Sequence, residues 1–277
     1  VIDRCNIRCT YCIPDKEDSR HYSFLKPKGW LSFEEIVRLT KLFVDCGVTK
    51  IRLTGGEPLL RPNLVELIGK LRKIPGIKDL ALTTNGSLLT QYARALQEAG
   101  LDRITVSLDT LDARLFHQMN GNKGDLKKVL EGINICEELD FAAIKINVVL
   151  QKGVNDRNAL DLVGHFKGRK PVLRFIEYMD VGNCNHWGLR YVVPTREIVD
   201  QINSRFPLRP LAAKEFGEVA ARYEFADGSG EIGFISSVTK PFCGTCTRGR
   251  ISADGKLYTC LFASDGVDLR TPLRAGA

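Results

Sequence analysis

Along the chain, short runs of β-branched and apolar residues alternate with longer stretches whose apolar positions recur at helical spacing, at intervals of about 25 to 40 residues. The strand candidates are Lys50–Thr54, Asp79–Thr84, Arg103–Leu108, Ile144–Val149 and Val172–Ile176, and a sixth is expected just before Cys5. Between them the spacing predicts helices over Ser32–Cys46, opened by a capping box of Ser32 and Glu35, and over Asn63–Lys73, Leu89–Ala99 and Leu126–Leu139. Repeated βα units imply an α/β fold with a parallel sheet, and six of them predict an incomplete (βα)6 TIM-type barrel. Residues 1–190 would form this partial barrel with a truncated first strand, and 191–277 a C-terminal extension.

Side chains alternate across a strand, so one set should pack under the helices and the other should face the lumen. Ile51 and Leu53, Ile104, Val106 and Leu108, and Ile144, Ile146 and Val148 form the outward set. The inward set is Lys50, Arg52 and Thr54, then Thr83, Thr105 and Ser107, then Lys145, Asn147 and Arg174. A barrel lumen is ordinarily filled by branched apolar side chains, and each unpartnered buried cation would cost several kcal/mol. Either the register is off by one residue on a strand or two, or these cations pair with Glu57, Asp109 or Glu177, or the lumen is a cavity that takes an anion. Arg forks and Lys point charges together suit phosphate oxygens, a triphosphate among them.

The cysteines turn this cavity into a candidate for chemistry. Of nine, six fall in two triads: Cys5, Cys9 and Cys12 in CNIRCTYC, and Cys243, Cys246 and Cys260 in CGTC and YTC. A structural zinc site takes four protein ligands, and near the first triad the earliest further candidate is His21, beyond a Pro/Asp/Lys-rich loop. A four-iron cluster held by three thiolates instead keeps one iron open to another molecule. Cys46 and Cys136, near helix ends, are expected to be small buried hydrophobes, and Cys184 carries no assigned role. Thiol ligands in a chain with no signal-like start and no run of about 18 apolar residues fit a soluble, intracellular enzyme. The +7 net charge is not gathered into a basic stripe with interleaved aromatics, so neither nucleic acid nor membrane is an expected partner.

Glycine-containing turns follow two strands, at Thr54-Gly55-Gly56-Glu57-Pro58 and Thr83-Thr84-Asn85-Gly86, where backbone can approach a ligand closely. With these, the stretches DRCNIRCTYC, KIRLTGGEPLLR, LTTNG, ITVSLDTLD, IKINVVLQKGVND, LRFIEYMDVG, GFISSVTKPFCGTC and RGRISADGKLYTCLF resemble the GTP 3′,8-cyclase family, the molybdenum cofactor biosynthesis protein A group of the radical S-adenosylmethionine superfamily. The resemblance runs from Val1 to the end, and the second triad with its Arg248-Gly-Arg250 separates this family from the superfamily at large.

The resemblance implies two 4Fe-4S clusters at opposite ends of the cavity, with Cys5, Cys9 and Cys12 binding the one that cleaves S-adenosylmethionine. Cys243, Cys246 and Cys260 would bind the one that meets guanine. S-adenosylmethionine would be held near Tyr11, Gly56, Thr83, Ser107 and Met179. GTP would lie against Lys50, Arg52, Thr54, Lys145, Arg174, Arg248 and Arg250. The implied reaction takes hydrogen from C3′ of GTP and closes the ribose onto C8, the first step of molybdenum cofactor biosynthesis. It further implies a reductant protein and a downstream pterin-forming synthase as partners, admits a homodimer, and places the protein in the cytoplasm or an organellar matrix. The family has a basic residue upstream of DRC and continues past Leu273-Arg274 to a double-glycine tail, so the sequence is expected to be a fragment. Two other readings remain open: a peptide-modifying radical enzyme with an auxiliary cluster, and a non-catalytic metal-binding module.

Overall fold

A sheet whose parallel strands follow chain order organises the molecule, seen here in a computed structural model that describes residues 1–12, 24–181 and 186–276. The strands are β1 (Lys50–Leu53), β2 (Asp79–Thr84), β3 (Arg103–Ser107), β4 (Ala143–Leu150) and β5 (Val172–Glu177). Next to β5 lies β8 (Glu231–Ile235), also parallel, followed by antiparallel β7 (Ala221–Phe225) and β6 (Leu208–Leu211). The strand expected before Cys5 is represented by a single parallel bridge, Ile2 to Gly55. His21 and Cys184 lie outside the described residues.

The helices cover one face of this sheet. They are α1 (Phe33–Asp45), α2 (Leu64–Arg72), α3 (Leu89–Glu98), α4 (Ala113–Met119), α5 (Leu126–Glu138), α6 (Ala159–Phe166), α7 (Thr195–Arg205) and the short α8 (Arg270–Arg274). The capping box opening α1 forms as its sequence predicts: Glu35 N–H donates to Ser32 Oγ at 3.2 Å, and Ser32 N–H donates to the Glu35 carboxylate at 2.7 Å. The outward set of strand residues meets the helices in the main core, where Leu53, Ile104, Val106, Leu108, Ile144, Ile146 and Val148 are buried. Cys136 is buried in the same core, but Cys46 is exposed. Cys46 caps the last turn of α1 rather than extending its apolar face, so its position near a helix end was a poor guide to burial. Among the described residues no helix is long and apolar enough to cross a membrane.

A buried carboxylate ties the barrel to the segment that carries the second triad. Glu177, at the end of β5, accepts from Thr195 N–H (2.8 Å) and hydroxyl (2.9 Å) at the start of α7. It also accepts from Val238 N–H and Thr239 N–H, both at 2.8 Å, and from the Thr239 hydroxyl at 2.5 Å. Burial pushes this carboxyl up, but the donors outweigh it and hold it below the usual glutamate value of 4.5. Glu177 therefore belongs to a clasp and does not neutralise the lumen.

Replacing an acceptor-only carboxylate by an amide leaves some of these donors unmatched, so Glu177→Gln is expected to lower unfolding free energy by about 1–3 kcal/mol in urea titrations. Because the folded carboxyl is depressed, its contribution is present above the unfolded value and disappears as pH falls through the folded one. The difference between the variant and the parent should shrink at acid pH, and a pH-independent difference would contradict the clasp. Ser32→Ala, which removes one half of the capping box, should cost about 1 kcal/mol in the same titration, and an unchanged midpoint would show that the cap does not stabilise the fold.

Candidate functional site

The first triad sits at the carboxyl end of β1, held by its own backbone against the glycine turn. Gly56 N–H donates to Ile2 O at 2.9 Å and Glu57 N–H to Arg4 O at 2.7 Å. A Cβ on Gly56 would fall 2.1 Å from Arg4 O, so only glycine lets the turn approach the cysteine loop this closely. Glu57 is buried, which raises its carboxyl; its oxygens accept from the Thr84 hydroxyl (2.7 Å), Asn85 N–H (2.7 Å) and Leu59 N–H (3.1 Å). The two glycine turns are thereby one unit. Asn85 extends it to the triad, its Nδ2 lying 2.8 Å from Asn6 Oδ1 and 3.7 Å from Cys5 Sγ.

On the other side, Cys9 Sγ donates to Asn120 Oδ1 at 3.2 Å, while Arg8 and Thr10 N–H groups donate to the carbonyls of Asn120 and Met119. Cys5 and Cys9 are half-buried and Cys12 is exposed. Burial raises the Cys5 and Cys9 thiols, a preference for the neutral form that bound iron would reverse. Tyr11 donates its hydroxyl to Asp109 Oδ2 at 2.6 Å, and Asp109 Oδ1 accepts from Val149 N–H at 2.8 Å. Burial pushes Asp109 up to about 6. The Tyr11 ring also meets Tyr178 edge-on, centroids 6.3 Å apart, which brings Tyr11 beside the residue preceding Met179.

The lumen has the cations that strand alternation placed there, and neutral groups hold its two arginines. Arg52 donates from one Nη to both Thr83 Oγ1 (2.9 Å) and Thr105 Oγ1 (3.1 Å). Arg174 donates through Nε and Nη2 to Asn147 Oδ1, at 3.0 and 2.7 Å. Burial, with Arg174, Arg103 and Arg52 nearby, lowers Lys145 to about 8. Burial, with Arg52 and Arg103, lowers Arg174 to about 10. Glu57, Asp109 and Glu177 have their hydrogen bonds elsewhere, so none of them supplies the counter-charge considered from sequence. Ser107 is the register partner of Asn147 and is half-buried; Thr54 is exposed just beyond β1. Lys50, at the start of β1, pairs with Glu215.

The second triad lies on the strip that follows β8, and all three cysteines are exposed. Cys246 N–H donates to Cys243 O at 3.2 Å, closing a short turn. The antiparallel pair β9 (Arg250–Ile251) and β10 (Lys256–Tyr258) sets Arg250 opposite Tyr258, two residues before Cys260. The backbone N–H of Arg248 and then its guanidinium, whose Nη2 donates to Cys246 Sγ at 3.2 Å, lower the Cys246 thiol. Arg248 also lies over the Phe242 ring at 4.8 Å. Arg248 Nε and Arg250 Nη1 are buried with no hydrogen-bond partner among the described residues.

Both triads suit iron-sulfur clusters by donor chemistry: thiols alone, with an amide or guanidinium N–H beside a sulfur in each. Among the described residues no three His, Cys, Asp or Glu side chains converge on a single-ion point. A four-iron cluster does not require that, because each thiolate binds a different iron. Sequence reasoning missed several residues that shape the site. Arg103, paired with Asp79, shares the parity of Thr105 and Ser107 and could have been read with them. Asn120, which meets Cys9, follows a helix and carries no periodic signal.

Comparison with known proteins accords with this geometry. The Radical SAM superfamily model matches residues 1–165 and the Molybdenum Cofactor Synthesis C model residues 172–277. A GTP 3′,8-cyclase of Xanthomonas campestris pv. campestris is 54% identical over 276 residues, 100% of this chain and 81% of that protein. One from Acidothermus cellulolyticus is 49% identical, over 99% of this chain and 76% of the relative, and one from Staphylococcus epidermidis 45%, over 100% and 82%. Among solved structures, native anSMEcpe with bound AdoMet aligns at TM-score 0.58 and 16% identity, over 95% of this chain and 73% of that one, a likeness of fold alone. With relatives matching at this identity along its whole length, the chain belongs to the GTP 3′,8-cyclase family of the radical S-adenosylmethionine superfamily.

Proposed function

We propose that this chain binds GTP in its basic lumen, between two three-cysteine clusters, and closes the ribose C3′ onto guanine C8, the first step of molybdenum cofactor biosynthesis. The observation that carries this reading is the set of lumen cations, with Arg52 and Arg174 held by hydroxyl and amide oxygens rather than carboxylates and Lys145 close enough for their charges to lower it. Neutral acceptors fix the direction of both arginines without cancelling their charge, which leaves the cavity suited to a polyphosphate.

Radical S-adenosylmethionine proteins work with a 4Fe-4S cluster and S-adenosylmethionine, which together supply hydrogen-abstracting chemistry when bound. Cys5, Cys9 and Cys12 would hold that cluster. Gly56, Thr83, Ser107, Tyr11 and Met179 would line the S-adenosylmethionine side, an assignment supported by the glycine turn against the cysteine loop and by the Tyr11–Tyr178 contact. Lys50, Arg52, Thr54, Lys145 and Arg174 would bind the substrate and hold its ribose in place. Cys243, Cys246 and Cys260 would hold a second 4Fe-4S cluster, with Arg248 and Arg250 beside it. The unpartnered guanidinium nitrogens there support binding of an anionic substrate at that end too. Residues 1–190 would thus carry the radical-generating part and 191–277 the second-cluster part.

The reaction also calls for an electron donor, which we take to be a reductant protein, and its product for a pterin-forming synthase. Thiolate-held clusters favour the cytoplasm or an organellar matrix, where thiols stay reduced. A homodimer is compatible with this arrangement.

Two outcomes test the reading. Lys145, lowered to about 8, must be protonated to hold a phosphate, so GTP affinity should fall as pH rises through and above that value. Lys145→Arg should bind GTP with a flatter profile over the same range, because guanidinium does not titrate there. Identical profiles for the two proteins would remove Lys145 from the phosphate site. Cys246→Ala should retain reductive cleavage of S-adenosylmethionine and lose the cyclised product, both followed by chromatography. Full cyclase activity would refute the role of the second triad.

A further inference from the structure

Residues 212–220, which join β6 to β7, bring a carboxylate to Lys50, one of the cations assigned above to the substrate. Glu215 pairs with Lys50 through both its oxygens. Its carboxyl is held down first by that hydrogen bond, and also by the charges of Arg103 and Lys145. Glu218 accepts from Lys214 N–H at 2.7 Å and lies 3.9 Å from Arg222 Nε. Its charge also acts on both Lys145 and Arg174.

The location of this loop gives these contacts their meaning. β1 and β6 are the two ends of the eight-stranded sheet, so the Lys50–Glu215 pair bridges the open seam of the incomplete barrel. The tip of the loop packs on the second triad. Gly217 has φ +79°, and a Cβ there would lie 2.8 Å from Thr247 Oγ1 and 3.0 Å from Thr245 O, on either side of Cys246. One short segment thus touches Lys50 at the amino end of β1 and the CGTCTR strip. Phe216 in this segment is 77% exposed.

Carboxylate and phosphate oxygens compete for the same donors. We propose that residues 212–220 form an acidic strap across the barrel seam, whose Glu215 competes with the substrate's phosphates for Lys50 and so sets the affinity of the site. Binding then exchanges a protein carboxylate for phosphate oxygens and shifts the strap away from the lumen. This rests on the reading of the lumen as the GTP site. The strap lowers affinity and at the same time limits repulsion among the cations.

The test is an equilibrium titration of the cluster-loaded full chain with GTP and, separately, with inorganic tripolyphosphate at fixed ionic strength. Glu215 is exposed, so Glu215→Gln perturbs little beyond the Lys50 pair. It should tighten both ligands about two- to five-fold, the range set by an exposed ion pair. Unchanged or weaker binding of both ligands by Glu215→Gln would overturn the strap. Arg174→Ala separates the two levels of the reading. If it weakens both ligands while Glu215→Gln fails to tighten them, the strap alone is wrong. If it leaves both affinities unchanged, the lumen is not the phosphate site and the strap falls with it.

Discussion

The rest of the structure depends on keeping several like charges together in a partly desolvated lumen. Burial first, and then the charges of Arg174, Arg103 and Arg52, lower Lys145, while burial with Arg52 and Arg103 lowers Arg174. Such a group is tolerable only when rigid neutral acceptors and nearby carboxylates offset the repulsion. Thr83, Thr105 and Asn147 supply the acceptors from adjacent strands, and their positions follow from strand register: Thr83 opposite Thr105, Asn147 opposite Arg174. The same parity that turns Ile104, Ile146 and Phe175 into the helix-covered core turns these polar residues inward. Core and site are two faces of one sheet.

Around that lumen, three buried carboxylates hold the ends of strands in place. Glu57 joins the two glycine turns, Asp109 holds Tyr11 in the cysteine loop, and Glu177 fastens the strip leading to Cys243. Each is fully engaged with backbone or hydroxyl donors, so none is available to quench the cations. Of the acidic groups that act on the cations, Asp79 lies on β2, and Glu215 and Glu218 lie on the loop between β6 and β7. Rigid carboxylates thus build the site, and Glu215 on the loop adjusts it.

Much of this was legible from residues alone because its signals are local. The period-two pattern separated Ile51 and Leu53 from Lys50 and Arg52, and the capping box at Ser32 located the start of α1 to the residue. The triads were visible in their spacing, and full-length relatives of the GTP 3′,8-cyclase family now favour the cyclase over the peptide-modifying and metal-module readings. What escaped was long-range pairing. Glu57, Asp109 and Glu177 could each have neutralised a cation, and only the fold shows that Thr84, Tyr11 and Thr239 take them first. Glu215, 165 residues from Lys50, lies in a loop with no periodic signal. Cys46 was misjudged because proximity to a helix end says nothing about which face it occupies.

A lumen between two clusters requires that both triads bind iron. The direct measurement is iron and acid-labile sulfide per chain after anaerobic reconstitution. Two four-iron clusters predict about eight of each. About four would mean that Cys243, Cys246 and Cys260 hold no cluster, and would contradict a substrate held between two iron sites.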